Sequence, residues 1–354
     1  MNLNKIAQLE SELNAIRQGS WLTQFGGSQY GVGYSVYCYC LRQILTEASV
    51  QNTIELQAYR RIAQQISVSS DFNQGYFPAY HNHIHSCEAM IFATTLFIEE
   101  YKTDDEKRLH LGPRFLISIM AHDLAHPGRT AVEYQELEQN SIQSFREIMR
   151  LARANGNTGI DDVEESQVQL VLSDPDFLHY LFRDLQNIIL GTEMTIEFTE
   201  NYKTYHTLHD RRVGEIRRDH DRPGASDRRQ NRLTMPDNAD ADMISLKKLA
   251  NEADIGASCF PMGYMLGQAL AEELNNKAMG TWAGRLYFLK NFGRFDSLAS
   301  RKLGLDIYIK NQIHVIQSLG VEVLERLVQE KDPMLVINMV KDVASGIEQA
   351  TVSK

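Results

Sequence analysis

The stretch FLISIMAHDLAHPG, residues 115–128, decides the fold class and points to the chemistry of this chain. It opens with an apolar run, and His122 and His126 follow four residues apart, which places both on one face of a helix. Asp123 stands beside them, and the closing Pro-Gly pair is a helix stop. The stretch therefore predicts an apolar helix whose end presents two histidines and an aspartate.

A second histidine cluster lies upstream in YHNHIH, residues 80–85, where His81 and His85 are again four residues apart. A lone histidine on an apolar helix is more often a hydrogen-bonded core residue than a metal ligand. Here, however, six of the eleven histidines fall between positions 81 and 126. Burying so many ionisable groups is costly unless a metal compensates for their desolvation. The two clusters together therefore indicate a metal site.

The ligand types narrow the choice of metal. Histidine nitrogens and carboxylates without thiolates suit zinc, iron, manganese or a zinc and magnesium pair. Asp123 is the expected bridge between two ions, which lie about 3.5–4 Å apart in two-metal phosphate chemistry. A further carboxylate has to complete the shell of the first ion, and LANEADI, residues 249–255, offers Glu252 and Asp254. The sequence pattern alone does not separate these two.

Outside these motifs, apolar residues recur at spacings of three and four, which is typical of helices packed on a core, and strict alternation is almost absent. No internal repeat and no long linker divides the chain. The pattern predicts an all-α protein of more than ten helices in one compact domain. The segments with the helical period are 51–67, 86–100, 112–121, 136–153, 168–190, 243–255, 261–275, 301–318 and 320–329.

Composition excludes several other classes. A net charge of −10 over 354 residues argues against a dedicated nucleic-acid binder, and four scattered cysteines do not make a disulfide framework. Residues 18–41 lack charge over a length that could span a membrane, but their glycines predict a polar connector instead. The charged N-terminus has no classical signal peptide. We expect a cytoplasmic protein with no membrane partner, and export without a classical signal stays open.

These motifs, read together with Ala253-Asp254, resemble the catalytic domain of class I cyclic-nucleotide phosphodiesterases, within the wider group of HD-type metallohydrolases. The resemblance runs from about residue 70 to 320. It implies a single multi-helix catalytic domain, 71–320, with an N-terminal helical segment, 1–70, packed on it. Residues 321–354 would be C-terminal helices of the same domain.

The resemblance also carries roles onto individual residues. It implies that a tighter metal, with zinc expected, is held by His85, His122, Asp123 and Asp254. A second ion, magnesium or manganese, would share Asp123, and its waters would be held by His126, Glu138 and Thr192. A hydroxide between the ions would attack phosphorus and His81 would protonate the departing ribose oxygen, which hydrolyses a 3′,5′-cyclic nucleotide (cAMP or cGMP) to the 5′-monophosphate.

The expected substrate pocket departs from the family. Glu193 is similar to the family's acidic residue near the second metal, and Tyr80 is a candidate to line the pocket, but Ala257 stands where the family has an asparagine. Lys302-Leu303-Gly304-Leu305 best matches the motif that recognises the purine, so that Lys302 replaces a glutamine and Leu305 replaces a clamping phenylalanine. Lysine offers only hydrogen-bond donors and leucine offers no stacking face.

Two further hypotheses stay open on these grounds. One is a binuclear-metal hydrolase that acts on a different phosphoester, either non-cyclic or protein-linked. The other is a catalytically silent binding protein on the same scaffold. An arginine-rich insertion, 203–241, interrupts the apolar period and is interpreted as solvated, with a basic flap over an anionic substrate as the alternative.

Overall fold

The fold is all-α. In a computed structural model, the described residues are 2–45, 53–73, 75, 78–132, 135–154, 162–192 and 241–352, and no strand occurs among them. The prediction of more than ten helices is confirmed. Glu193 and residues 203–240 of the arginine-rich insertion lie outside the described part of the chain.

The described residues form sixteen α-helices and one short 3-10 helix, Lys277–Gly280. In chain order the α-helices are α1 (Leu3–Arg17), α2 (Trp21–Phe25), α3 (Gly31–Ile44), α4 (Ile54–Val68), α5 (His83–Glu100), α6 (Asp105–Met120), α7 (Glu136–Ala154), α8 (Asp162–Ser173), α9 (Pro175–Thr192), α10 (Ala241–Cys259), α11 (Gly263–Glu273), α12 (Trp282–Asn291), α13 (Leu298–Leu303), α14 (Leu305–Leu319), α15 (Val321–Glu330) and α16 (Pro333–Val352). Among them, no helix is both long enough and apolar enough to cross a membrane.

Helix α5 is the centre of the fold. Its N-terminal cap is Asn82, whose side-chain oxygen accepts a hydrogen bond from the Ile84 N–H at 2.9 Å. Met90, Phe92 and Phe97 on its different faces are all fully buried. A helix that is apolar all round needs neighbours on every side, and α5 contacts α1, α3, α6, α10 and α13. Its N-terminal end carries the first histidine motif.

Two predicted segments are each divided in two by a local stop. The segment 168–190 breaks between α8 and α9, where the Asp174 carboxylate accepts the backbone N–H groups of Asp176 at 2.7 Å and Phe177 at 3.1 Å. The segment 301–318 breaks at Gly304, whose φ of 75° is the left-handed conformation that ends a helix. At each of these turns one helix ends and the next begins in a new direction.

The expected polar connector at 18–41 is wrong. The structure has α2 and most of α3 in this region, and Val36, Tyr37 and Cys40 of α3 are fully buried. Part of the glycine content serves close packing: a Cβ on Gly33 would lie 2.5 Å from Phe72 Cε1 and 2.9 Å from Met120 Cε. The glycine there allows helices to approach closely, so it marks a buried helix and not a loop.

Candidate metal centre

Four predicted ligands meet in one place. His85 comes from the first turn of α5, His122 and Asp123 follow the end of α6, and Asp254 comes from α10. One ligand atom from each lies within 4.8 Å of all the others. The His122 Nδ1 donates to the Ile119 carbonyl oxygen at 2.7 Å, because a carbonyl only accepts. That bond turns the other ring nitrogen, Nε2, toward the carboxylates.

The distances within this four-ligand cluster fit a divalent ion. Ligand atoms about 2.1 Å from a metal lie about 3.0 Å apart along the edge of an octahedron and about 3.4 Å apart along that of a tetrahedron. The His85 Nε2 lies 3.3 Å from Asp123 Oδ2 and 3.0 Å from Asp254 Oδ1. The His122 Nε2 lies 3.2 Å and 3.5 Å from the same two oxygens. The described residues therefore form a candidate divalent-metal site.

The charges of the four-ligand cluster also suit a cation. Burial raises the pKa of Asp123 and Asp254, but His122 and His85 lower it more, and each pKa lies below its usual value. Burial lowers the pKa of His122, yet the two carboxylates raise it well above the ordinary value. Both carboxylates are thus ionised, and the proton on His122 is one that a metal would displace on binding.

A second group of titratable side chains adjoins this cluster. Glu273, the last residue of α11, accepts the backbone N–H groups of Tyr80 at 2.8 Å and His81 at 3.0 Å through Oε2. Its Oε1 lies 2.5 Å from the His81 Nδ1. The His126 ring stacks on the His81 ring with centroids 4.0 Å apart. We call His81, His126 and Glu273 the proton cluster.

The spacing in the proton cluster does not match a closed metal shell. The 2.5 Å contact is shorter than a ligand edge, and the His126 Nδ1 lies 3.8 Å from the Glu273 carboxylate. That Nδ1 instead accepts the Gly128 N–H at 3.2 Å, so the proton of a neutral His126 is on Nε2. The cluster is a hydrogen-bonded pair of His81 and Glu273 with a donor imidazole beside it.

The pKa values agree with this assignment. Burial lowers the pKa of His81, but the hydrogen bond to Glu273 and the charge of Asp123 outweigh it, and the pKa is raised above its usual value. Burial and the charge of His81 lower the pKa of His126 to about 3. Burial raises the pKa of Glu273, but the hydrogen bond and the charge of His81 lower it by more, so the pKa lies below its usual value. These shifts favour the protonated form of His81 and leave His126 neutral near neutral pH.

The structure separates the two carboxylates that the sequence pattern left open. Glu252 is buried and faces α13, where it accepts the backbone N–H groups of Asp296 at 2.6 Å and Ser297 at 2.7 Å. It also accepts the hydroxyl groups of Ser297 and Ser300. Glu252 therefore holds the chain at the start of α13, whose N-cap is Ser297, and Asp254 is the residue that joins the four-ligand cluster.

Several other predicted residues lie close to the site. The Tyr80 ring has its centroid 4.7 Å from those of His81 and His85, and its hydroxyl is 2.7 Å from Ser258 Oγ. Ala257 is buried one turn after Asp254 on α10. One turn after Glu138 on α7, the Ser141 hydroxyl donates to the Leu124 carbonyl at 3.0 Å, which holds the start of α7 against the second histidine motif.

Thr192 ends α9 beside α10. Its hydroxyl donates to the Ile189 carbonyl at 2.8 Å, and its side chain is buried. The Asn251 amide, one turn before Asp254, donates to the Gly191 carbonyl at 3.2 Å. The end of α9 is thus held next to the helix that supplies Asp254.

The structure does not bring the Lys302 ammonium to the four-ligand cluster. The Lys302 ammonium lies 3.3 Å from the Glu99 carbonyl at the far end of α5, and Leu305 is a core residue. Glu99 follows His85 by fourteen residues, a helix length of about 21 Å. This placement gives no support to Lys302 as a replacement for the family's glutamine, and Leu305 in the place of the clamping phenylalanine stays a prediction.

The sequence pattern does not predict Glu273. It stands next to Glu272, which is exposed, in a polar helix end with no motif around it. Only the folded chain brings it to His81, 192 residues earlier. The run of two adjacent glutamates at the end of a predicted helix was the available signal, and it is a common surface pattern.

Comparison with protein-family models gives no match for this chain, and no curated protein sequence matches it either.

Proposed function

We propose that this chain is a metal-dependent phosphodiesterase that hydrolyses 3′,5′-cyclic nucleotides to 5′-monophosphates. The observation that carries the proposal is the side-by-side arrangement of the four-ligand cluster and the proton cluster. One offers a place for a cation and the other offers a histidine whose protonated form is favoured by Glu273, and a metal ion and a general acid each promote cleavage of a phosphoester. The resemblance of the motifs to class I cyclic-nucleotide phosphodiesterases supplies the substrate class.

We propose zinc for the four-ligand cluster, because two imidazoles and two carboxylates suit it. A second ion, magnesium or manganese, would share Asp123, with waters held by His126, Glu138 and Thr192. When bound, the two ions would lower the pKa of a water molecule and neutralise the charge on the phosphoryl oxygens. The neutral His126 is suited to its part because its Nε2–H is a donor.

His81 acts as the general acid in this proposal. Glu273 binds its Nδ1 and both backbone N–H groups next to it, which fixes the ring and leaves the proton on Nε2 for transfer. The Glu273 side chain is only 1% exposed, so water does not compete for this bond. The proton passes from Nε2 to the departing ribose oxygen as the bond to phosphorus breaks.

Hydrolysis of cAMP and cGMP by the purified protein tests the proposal. The assay supplies zinc together with magnesium or manganese, and Asp123→Ala serves as the control. We expect turnover that depends on metal and is lost in the variant. Metal loading without turnover of either nucleotide would contradict the cyclic-nucleotide proposal.

A second candidate is a hydrolase with the same metals and a different phosphoester as substrate. The observation in its favour is the position of the Lys302 ammonium at the far end of α5, because the residue that matches the family's purine-binding glutamine then lies away from the four-ligand cluster. Cleavage of bis(p-nitrophenyl) phosphate without turnover of either cyclic nucleotide would select it. If no phosphoester is cleaved although metal is bound, the silent binding protein becomes the better hypothesis.

A further inference from the structure

Helix α1 is tied to the central helix α5 at two points. Lys5 forms an ion pair with Glu99 near the far end of α5, and Arg17, the last residue of α1, forms one with Glu88. Glu88 is fully buried and follows the ligand His85 by three residues. One of the two ties is thus close to the metal centre and the other is about 21 Å along the helix from it.

Glu88 and His85 share a face of α5. Residues three apart on a helix are neighbours, and helical side chains lean toward the N-terminus, so the Glu88 carboxylate leans back to the level of His85. The surroundings of Tyr80 agree with this position of the Glu88 carboxylate near His85. Burial raises the pKa of the Tyr80 hydroxyl, and the charges of Asp254 and Glu88 raise it more, while its ring lies beside that of His85.

Four buried polar atoms of His85, Glu88 and Arg17 have no hydrogen-bond partner among the described residues. They are Nδ1 of His85, Oε2 of Glu88, and Nη1 and Nη2 of Arg17. An unpaired buried polar atom costs free energy, and for charged groups the cost is higher. A histidine that binds metal through one nitrogen almost always donates its other N–H to a carboxylate, a carbonyl or a water.

We propose that Arg17 and Glu88 are positioning residues of the metal centre. An ordered water accepts the His85 Nδ1–H, donates to Glu88 Oε2 and accepts from an Arg17 Nη, while the Arg17 Nε holds Glu88 Oε1 in place. This chain of hydrogen bonds fixes the His85 tautomer with the lone pair of Nε2 facing the ion. The proposal rests on the metal centre of the proposed function, but not on hydrolysis.

Zinc affinity tests this without any assay of turnover. Competition with a chromophoric chelator gives the dissociation constant for the wild type, for Glu88→Gln and Arg17→Met, and for Lys5→Met and Glu99→Gln as the matched pair on the same two helices. Loss of an outer hydrogen-bond partner typically weakens metal binding about 10- to 100-fold. We expect that loss for the Arg17 and Glu88 variants, and unchanged affinity for the Lys5 and Glu99 variants.

The thermal unfolding of each zinc-free variant separates positioning from loosening of α1. Equal affinity losses in both pairs, or none in the Arg17 and Glu88 variants, would overturn the proposal. Should Glu88→Gln or Arg17→Met fail to fold, Arg17→Lys keeps the charge beside Glu88 but loses the second donor arm, and we expect it to fold and to bind zinc more weakly. A wild type that binds no zinc would overturn the metal centre itself, and this proposal with it.

Discussion

The four-ligand cluster and the proton cluster are made of the same side-chain types and adjoin each other, but their atoms are spaced differently. In the first, imidazole nitrogens and carboxylate oxygens stand 3.0–3.5 Å apart. In the second, the closest such contact is 2.5 Å. A spacing of 3.0–3.5 Å matches the edge of a metal's ligand shell, whereas 2.5 Å is shorter than such an edge and is the contact of a hydrogen-bonded pair. Similar side chains thus form a candidate ligand shell in one cluster and a hydrogen-bonded pair in the other.

Among the substitutions that test the difference between the two clusters, removal of Asp123 should have the largest effect on bound zinc and on turnover. Asp123→Ala takes away an oxygen that contacts both ligand histidines, and the remaining cluster keeps a single carboxylate to offset the ion. We expect loss of bound zinc, measured by elemental analysis of the purified protein, and loss of all turnover. Retained stoichiometric zinc would break the distinction between the clusters.

Removal of His81 should spare the metal. His81→Ala leaves all four ligands in place, so zinc content should match the wild type, while kcat should fall about 100- to 10,000-fold with the loss of the general acid. Elemental analysis and steady-state kinetics on the same preparation check both statements. Equal zinc loss in this variant and in Asp123→Ala would mean that the two clusters form one site.

The charge of Glu273 should set the pH range of activity. Burial lowers the pKa of His81 and Glu273 raises it above the usual value, so Glu273→Gln should lower that pKa. In the proposed mechanism His81 is active in its acid form, so the fall of kcat/KM at high pH should then begin at a lower pH. The exposed neighbour variant, Glu272→Gln, should leave the profile in place. If the pH profile of kcat/KM is unshifted in both variants, the fall of kcat/KM at high pH comes from a group other than His81.

Substitution of a third carboxylate, Glu252, tests whether a buried carboxylate near the site is also a metal ligand. Glu252→Gln replaces a carboxylate that accepts four hydrogen bonds from Asp296, Ser297 and Ser300 by an amide with a single acceptor oxygen, so part of this buried network before α13 is lost. We expect a loss of about 1–3 kcal/mol in the free energy of unfolding, measured by denaturant titration. Zinc content should not change. Zinc loss together with unchanged stability would reverse the assignment of Glu252 and Asp254.

The helical period predicted the fold class and much of the site because each depends on local spacing. His85 lies in the first turn of α5 and His81 just before that helix, while the His122 motif follows the end of α6. The split between Glu252 and Asp254 depends on which face of α10 meets α13, and this is a property of packing. The same holds for Glu273 and Lys302, whose neighbours come from 192 and 203 residues away. Sequence spacing carries no information on such pairs.

The positions of the ligands in the chain also bear on how the protein folds. His85 and Asp254 are 169 residues apart, so the unfolded chain holds no preassembled set of four ligands. The cluster can form only after α5, α6 and α10 have docked, and contacts of such long range are slow to make. Zinc would then bind the native state far more tightly than the unfolded one and raise the melting temperature in proportion to the logarithm of its free concentration. Zinc uptake during refolding would therefore report the last stage of core assembly.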